Sequence, residues 1–148
     1  PDLIRAIVNA RVRLMFAPVL DQISDKWVNH HMVVFLMDKV VAEEKSDELE
    51  AAFRDALGRC LRLKLEQNDR YELSRIAQIA LRHGVPEAIE ASVISEGASP
   101  GQLRKLLAPV LELPPGDEQA LTYLRTNRSR WEWDSVARKF KPAGDNKL

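Results

Sequence analysis

The sequence predicts an all-α fold: one compact domain of about eight helices, arranged as a helical bundle or as a right-handed stack of antiparallel helix pairs. Three observations carry this expectation. Apolar residues recur at spacings of three and four along nearly the whole chain, which is the period of a helix with one buried face. No two runs of alternating apolar and polar residues stand out on either side of a hairpin turn, so strands are not expected. Proline and glycine fall between the periodic segments, where helices start and stop, and the short linkers this leaves favour antiparallel neighbours.

The elements follow in order. Asp2 can cap a first helix whose apolar residues are Leu3, Ile4, Ile7, Val8, Val12, Met15 and Phe16, and Pro18 breaks it, since an internal proline removes a hydrogen bond and clashes with the preceding turn. Leu20, Ile23 and Trp27 mark a second helix. Residues 32–41 form a third that is apolar around most of its circumference, a pattern expected of burial on more than one side. Ser46, Asp47 and Glu50 make a capping-box-like start to the next, whose stripe is Leu49, Ala52, Phe53, Ala56, Leu57, Cys60 and Leu61. Glu50 with Arg54, and Asp55 with Arg59, are i,i+4 pairs on its outer face. Asn68 or Asp69 caps a helix carrying Leu73, Ile76, Ala77, Ala80 and Leu81, stopped at Gly84. Pro86 opens a helix with Ala88, Ile89, Val93 and Ile94 that ends at Gly97, and Ser99-Pro100 opens one with Leu103, Leu106, Leu107 and Val110. After the turn Pro114-Pro115-Gly116, Asp117 caps a helix with Ala120, Leu121 and Leu124, and a last helix carries Trp133, Val136, Ala137 and Phe140. The expected organisation is a helical core over 1–113, a turn at 114–116, a C-terminal helix pair over 117–140 packed on that core, and a polar tail over 141–148.

Composition narrows the function classes. The chain has 148 residues, 45% hydrophobic and 30% charged, with 22 basic and 22 acidic side chains. That is enough apolar content for one core, and it excludes a disordered, collagen-like or disulfide-scaffold chain. Zero net charge argues against a polyanion binder that depends on a large positive excess. The neutrality is a balance of opposed blocks: residues 3–20 carry +3, 38–55 carry −4, 59–82 carry +3 and 125–141 carry +4. A lone Cys60 cannot form an internal disulfide, and no secretory leader is legible, so an intracellular compartment, cytoplasmic or nuclear, is expected. The longest uncharged stretch, residues 27–37, falls short of the roughly 20 apolar residues of a membrane span. A start at Pro1 rather than Met is expected of a domain taken from a longer protein.

No catalytic or cofactor motif emerges. The six glycines are scattered rather than spaced for a phosphate-binding or dinucleotide-binding loop. His30 and His31 are adjacent, so on a helix they point about 100 degrees apart and cannot serve one metal from the same face. His83 suits the last turn of its helix. Cys60 lies on an apolar stripe and reads as a small core residue. Glu43, Glu44, Asp47, Glu48 and Glu50 surround a helix start, where negative charge is favoured and water is close. No cofactor or metal site is expected.

The segment with most binding character is 125–141, where six bases face two acids amid Trp131, Trp133 and Phe140. Arginine beside aromatics is the combination enriched at protein interface hot spots, and also the one that contacts phosphates and stacks bases. Residues 117–140, through Leu121, Leu124, Trp133, Val136 and Ala137, resemble two helices of a helix-turn-helix or Myb-like unit, though no third, recognition helix follows. The leading expectation is a non-catalytic α-helical protein–protein interaction domain, serving as adaptor, scaffold or oligomerisation module. Its partner contacts would be Arg125, Arg128, Arg130, Trp131, Arg138 and Lys139, with Trp27 a weaker candidate. The alternative is a nucleic-acid-binding helical domain that uses the same basic and aromatic segment.

Overall fold

The computed structural model of the protein describes residues 30–127 and 130–143. Six α-helices and one β-hairpin make up the described chain: α1 (His30–Glu44), α2 (Asp47–Gln67), α3 (Arg70–Arg82), α4 (Glu87–Glu96), α5 (Pro100–Leu107), α6 (Asp117–Thr126), then β1 (Trp131–Asp134) and β2 (Lys139–Pro142). The boundaries follow local chemistry. Lys45 turns the chain through a positive φ of 50°, and the Ser46 hydroxyl accepts the Leu49 amide at 3.3 Å to start α2. Asn68, at φ 53°, stops α2, and the Asp69 carboxylate accepts the Glu72 amide at 3.2 Å to start α3, so each of the two candidate residues has a distinct role. Gly84, at φ 75°, follows the end of α3 at the position where a left-handed residue is needed. Pro86 precedes α4 as its cap, and Gly116 at φ 94° caps α6, which leaves Asp117 as a first-turn acid rather than the cap itself. Val110 lies beyond the end of α5, in the turn that leads to Leu111.

Helix α3 is central: its buried Leu73, Ile76, Ala77 and Ala80 meet α1, α2 and α4. Helix α2 contributes Leu49, Phe53, Ala56, Leu57, Cys60 and Leu61 to the same core, close to the stripe its spacing predicts. Helix α4 in turn packs on α5 and α6. The all-α class is correct in the main, with a small two-stranded sheet added. Among the described residues no helix is long and apolar enough to cross a membrane.

Two expectations need correction. The last helix does not form: Trp131 to Pro142 is an antiparallel hairpin in which Trp131 pairs with Pro142 and Trp133 with Phe140. The C-terminal helix pair is therefore one helix and one hairpin, and the resemblance to a helix-turn-helix unit fails with it. Trp133, Val136, Ala137 and Phe140 mimic helical spacing because a turn over 135–138 separates two short strands. Asp134 builds that turn by accepting the amides of Val136 and Ala137 at 3.0 and 3.1 Å, and Arg138 closes it at φ 54°. Val136 consequently stands at the tip, 94% exposed, instead of packing. Second, α1 is not buried all round: Val34 and Val41 are buried, whereas Met32, Phe35 and Leu36 are exposed. The two helices expected within residues 2–29, which enter the expected count of about eight, lie outside the described residues, as does the tail from 144 onward.

Candidate functional site

Trp133 determines where the hairpin sits. Its indole lies against Gly84 so closely that a β-carbon there would overlap the ring. The left-handed turn and the absent side chain are thus both used. Arg138 locks the arrangement: its Nη2 donates to the Arg82 carbonyl at 2.8 Å while its guanidinium lies over the Trp133 ring, 5.8 Å from the centroid. On the opposite strand Phe140 meets Trp133 edge-on at 4.8 Å, and its amide donates to the Val110 carbonyl at 2.7 Å. The hairpin thereby bridges the end of α3 and the segment after α5.

His83 lies beneath this contact. The ring is buried edge-on against Phe53, with centroids 5.0 Å apart, and its Nε2 is 2.6 Å from Asp38 Oδ1. Asp38 also accepts from Arg82 at 2.7 Å through its other oxygen. The second ring nitrogen, Nδ1, is 3.6 Å from Glu50 and makes no hydrogen bond. One side chain therefore ties α1, α2 and the end of α3 together, one position before the glycine on which Trp133 rests.

Along α2 runs a groove in two adjoining parts, the first of them against the hairpin. The first, about 420 Å³, has Asp47, Glu50, Ala51 and Arg54 of α2 on one wall and Trp133, Ser135 and Arg138 on the other. The second, about 370 Å³, continues along α2 past Asp55, Gly58 and Arg62, opposite the α3–α4 turn at Gly84, Val85, Pro86 and Glu87. Ala51 and Arg54 line both parts, so the two adjoin at these residues. Each volume lies within the range of about 300–1,000 Å³ usual for ligand pockets. At the far end Arg62 donates to Glu87 at 2.7 Å. In the middle, the Arg54 Nε–H is buried and has no hydrogen-bond acceptor among the described residues.

The residues expected to bind partners are not brought together. Arg138 faces the groove. Lys139, one position on, lines a separate cavity of about 420 Å³ with Arg104, Leu111 and Lys141. Arg125 is exposed beside Arg70 and Gly97, near the end of α4, and Arg130 is exposed ahead of β1. Trp131 is a correction: it is buried, packed edge-on against Tyr123 at 5.7 Å, and so is not available as a surface contact. Arg125 lies on α6, Arg130 ahead of β1, Arg138 in the hairpin turn and Lys139 on β2, so these residues separate instead of forming one patch. Arg128 and Trp27 lie outside the described residues. Sequence reasoning missed Arg54, Glu50, Asp38 and Trp133 as parts of a common site. The signal that could have pointed there is Gly84, because a left-handed glycine also marks a place where another group can approach the backbone.

No protein-family model, curated protein or solved structure matches this chain.

A second polar cluster lies inside the helices. Glu72 is buried and accepts from the His31 amide at 2.9 Å, while its other oxygen is 2.7 Å from His31 Nδ1. Lys64, also buried, sits on the neighbouring helix with its Nζ 4.0 Å from Asp69. Burial pushes the Cys60 thiol up to about 11; Glu72 adds to the rise and Lys64 opposes it. The thiol is therefore protonated at neutral pH and is a poor nucleophile. Among the described residues no group of three or more His, Cys, Asp or Glu could hold a metal ion.

Proposed function

We propose that this chain is an α-helical protein–protein interaction domain, an adaptor, scaffold or oligomerisation module within a larger intracellular protein of the cytoplasm or nucleus, and that it works by binding rather than by catalysis. The observation that supports this reading is the groove between α2 and the hairpin, walled by Trp133 and Arg138 on one side and by Arg54 on the other. Tryptophan and arginine are the residues most enriched among interface hot spots. A groove whose walls are held by Gly84, His83 and Arg138 is preorganised, so a partner segment would not have to order it on binding. Charges along its rim would set partner choice and orientation more than affinity.

The test is capture of the full-length protein from its own cells, with and without nuclease, beside the variant Ala51→Trp, which fills the junction of the two groove parts from an exposed position. A protein partner that survives nuclease and is lost with Ala51→Trp is the expected result. A partner that Ala51→Trp leaves in place, or one that nuclease removes, overturns the reading.

The nucleic-acid alternative has less support, because Trp131 is buried and Lys141 is held by Asp134 at 2.7 Å. What remains for it are the exposed Arg125, Arg130 and Lys139. It requires binding to RNA or DNA at low ionic strength that weakens as salt rises.

A further inference from the structure

We propose that Arg54 is the anchor of the groove and takes a carboxylate from an acidic segment of a protein partner; this rests on the interaction-domain reading above. Arg54 lines both parts of the groove, so a ligand that spans the two meets this side chain. Its Nε–H is buried without an acceptor, and an unmet buried donor is a standing cost that a ligand can remove. Of the other charged residues lining the two parts, all but Asp47 have partners elsewhere. Arg62 is paired with Glu87, Arg138 with the Arg82 carbonyl, Asp55 with Arg59 at 3.5 Å, and Glu50 is directed at His83. Among the described residues no carboxylate or carbonyl is assigned to Arg54.

The chemistry of the ligand follows from the shape of the donor and from the rim. A guanidinium presents a planar fork that matches a carboxylate bidentately. A polyphosphate backbone would have to run past the acids Asp47, Glu50, Asp55 and Glu87, which repel a continuous row of anions but tolerate one carboxylate seated on Arg54. Trp133 flanks Arg54 on one side and Pro86 on the other, each adding a partly exposed apolar side chain to a mainly polar groove. The fitting ligand is thus a peptide with one acidic side chain bracketed by apolar residues.

The experiment is selection of a displayed random-peptide library on the full chain, followed by titration of the enriched peptide as a synthetic probe. Enriched peptides should carry Asp or Glu beside apolar residues. Changing that acid to its amide, or Arg54→Ala, should each weaken binding about tenfold or more, and the two losses should not add. Arg54→Lys, which keeps charge and helix but lacks the fork, should lose most of the same affinity, and the Arg54 Nε–H resonance should shift on titration of the wild type. Peptides that Ala51→Trp blocks but Arg54→Ala binds unchanged overturn the Arg54 assignment and leave the interaction reading standing. Failure to enrich any peptide that Ala51→Trp blocks overturns both. Movement of the Arg54 resonance by a single-stranded oligonucleotide and not by the acidic peptide overturns the assignment in favour of a nucleic-acid ligand.

Discussion

Gly84 shows how one residue can serve two purposes. Its positive φ ends α3, and its missing side chain makes room for Trp133. Gly84→Ala should therefore cost more than a strained backbone alone, about 2–5 kcal/mol, read as a lower urea midpoint, with the Trp133 indole displaced from its native environment. Cys60 makes the opposite case, a reactive residue type made inert by its surroundings. With the thiol raised to about 11, the native protein should resist alkylation at pH 8, whereas the unfolded chain reacts readily. The same shift has a sign for stability. The folded state holds the proton more tightly than the unfolded thiol at about 9, so the contribution is intact below pH 9 and is lost as pH rises toward 11. The role of Cys60 was legible in the sequence because its stripe is continuous over several turns. Arg54 was not: an exposed-face arginine at i+4 from Glu50 reads as half of a helix ion pair, and only the position of His83 shows that Glu50 is directed elsewhere.

At the scale of elements, the helices were legible wherever an amphipathic stripe coincided with a cap. Ser46, Asp69 and Gly84 bound α2 and α3 close to where their chemistry predicts. The hairpin was not legible, since its strands are only four residues long, too short for alternation to outweigh a coincidental spacing of three and four. Its stability depends on Asp134, whose carboxyl is held below the usual range first by the Lys141 hydrogen bond and then by the Ala137 and Val136 amides. A lowered carboxyl stabilises the fold above its ordinary value and stops doing so as pH falls through the lowered one. Acidification should therefore speed amide exchange at Val136 and Ala137 before the helices respond, and Asp134→Ala should produce the same fast exchange at neutral pH. Exchange at these amides that stays unchanged down to acid unfolding would show that Asp134 does not hold the turn.

For the whole molecule, the opposed charge blocks are partly satisfied within the fold. Asp38 of the acidic block meets Arg82 of a basic one, and the acidic start of α2 faces Arg138 of the hairpin across the groove. Because His83, Trp133 and Arg138 connect α1, α2, α3 and the hairpin, these elements should unfold as one unit. The indole signals of Trp131 and Trp133 should vanish in the same denaturant transition as the helical circular dichroism, and an earlier loss of the indole signals would show the hairpin to be a separately melting appendage. The sequence by itself determined the helical class, the limits of most helices and the composition of the core, since periodicity, capping and apolar content act over neighbouring residues. Only the tertiary structure decided that the last segment is a hairpin, that Trp131 is buried and that the groove lies between α2 and the hairpin. Those outcomes depend on contacts such as Trp133 on Gly84 and Arg138 on the Arg82 carbonyl, which join residues about fifty positions apart and leave no local pattern to read.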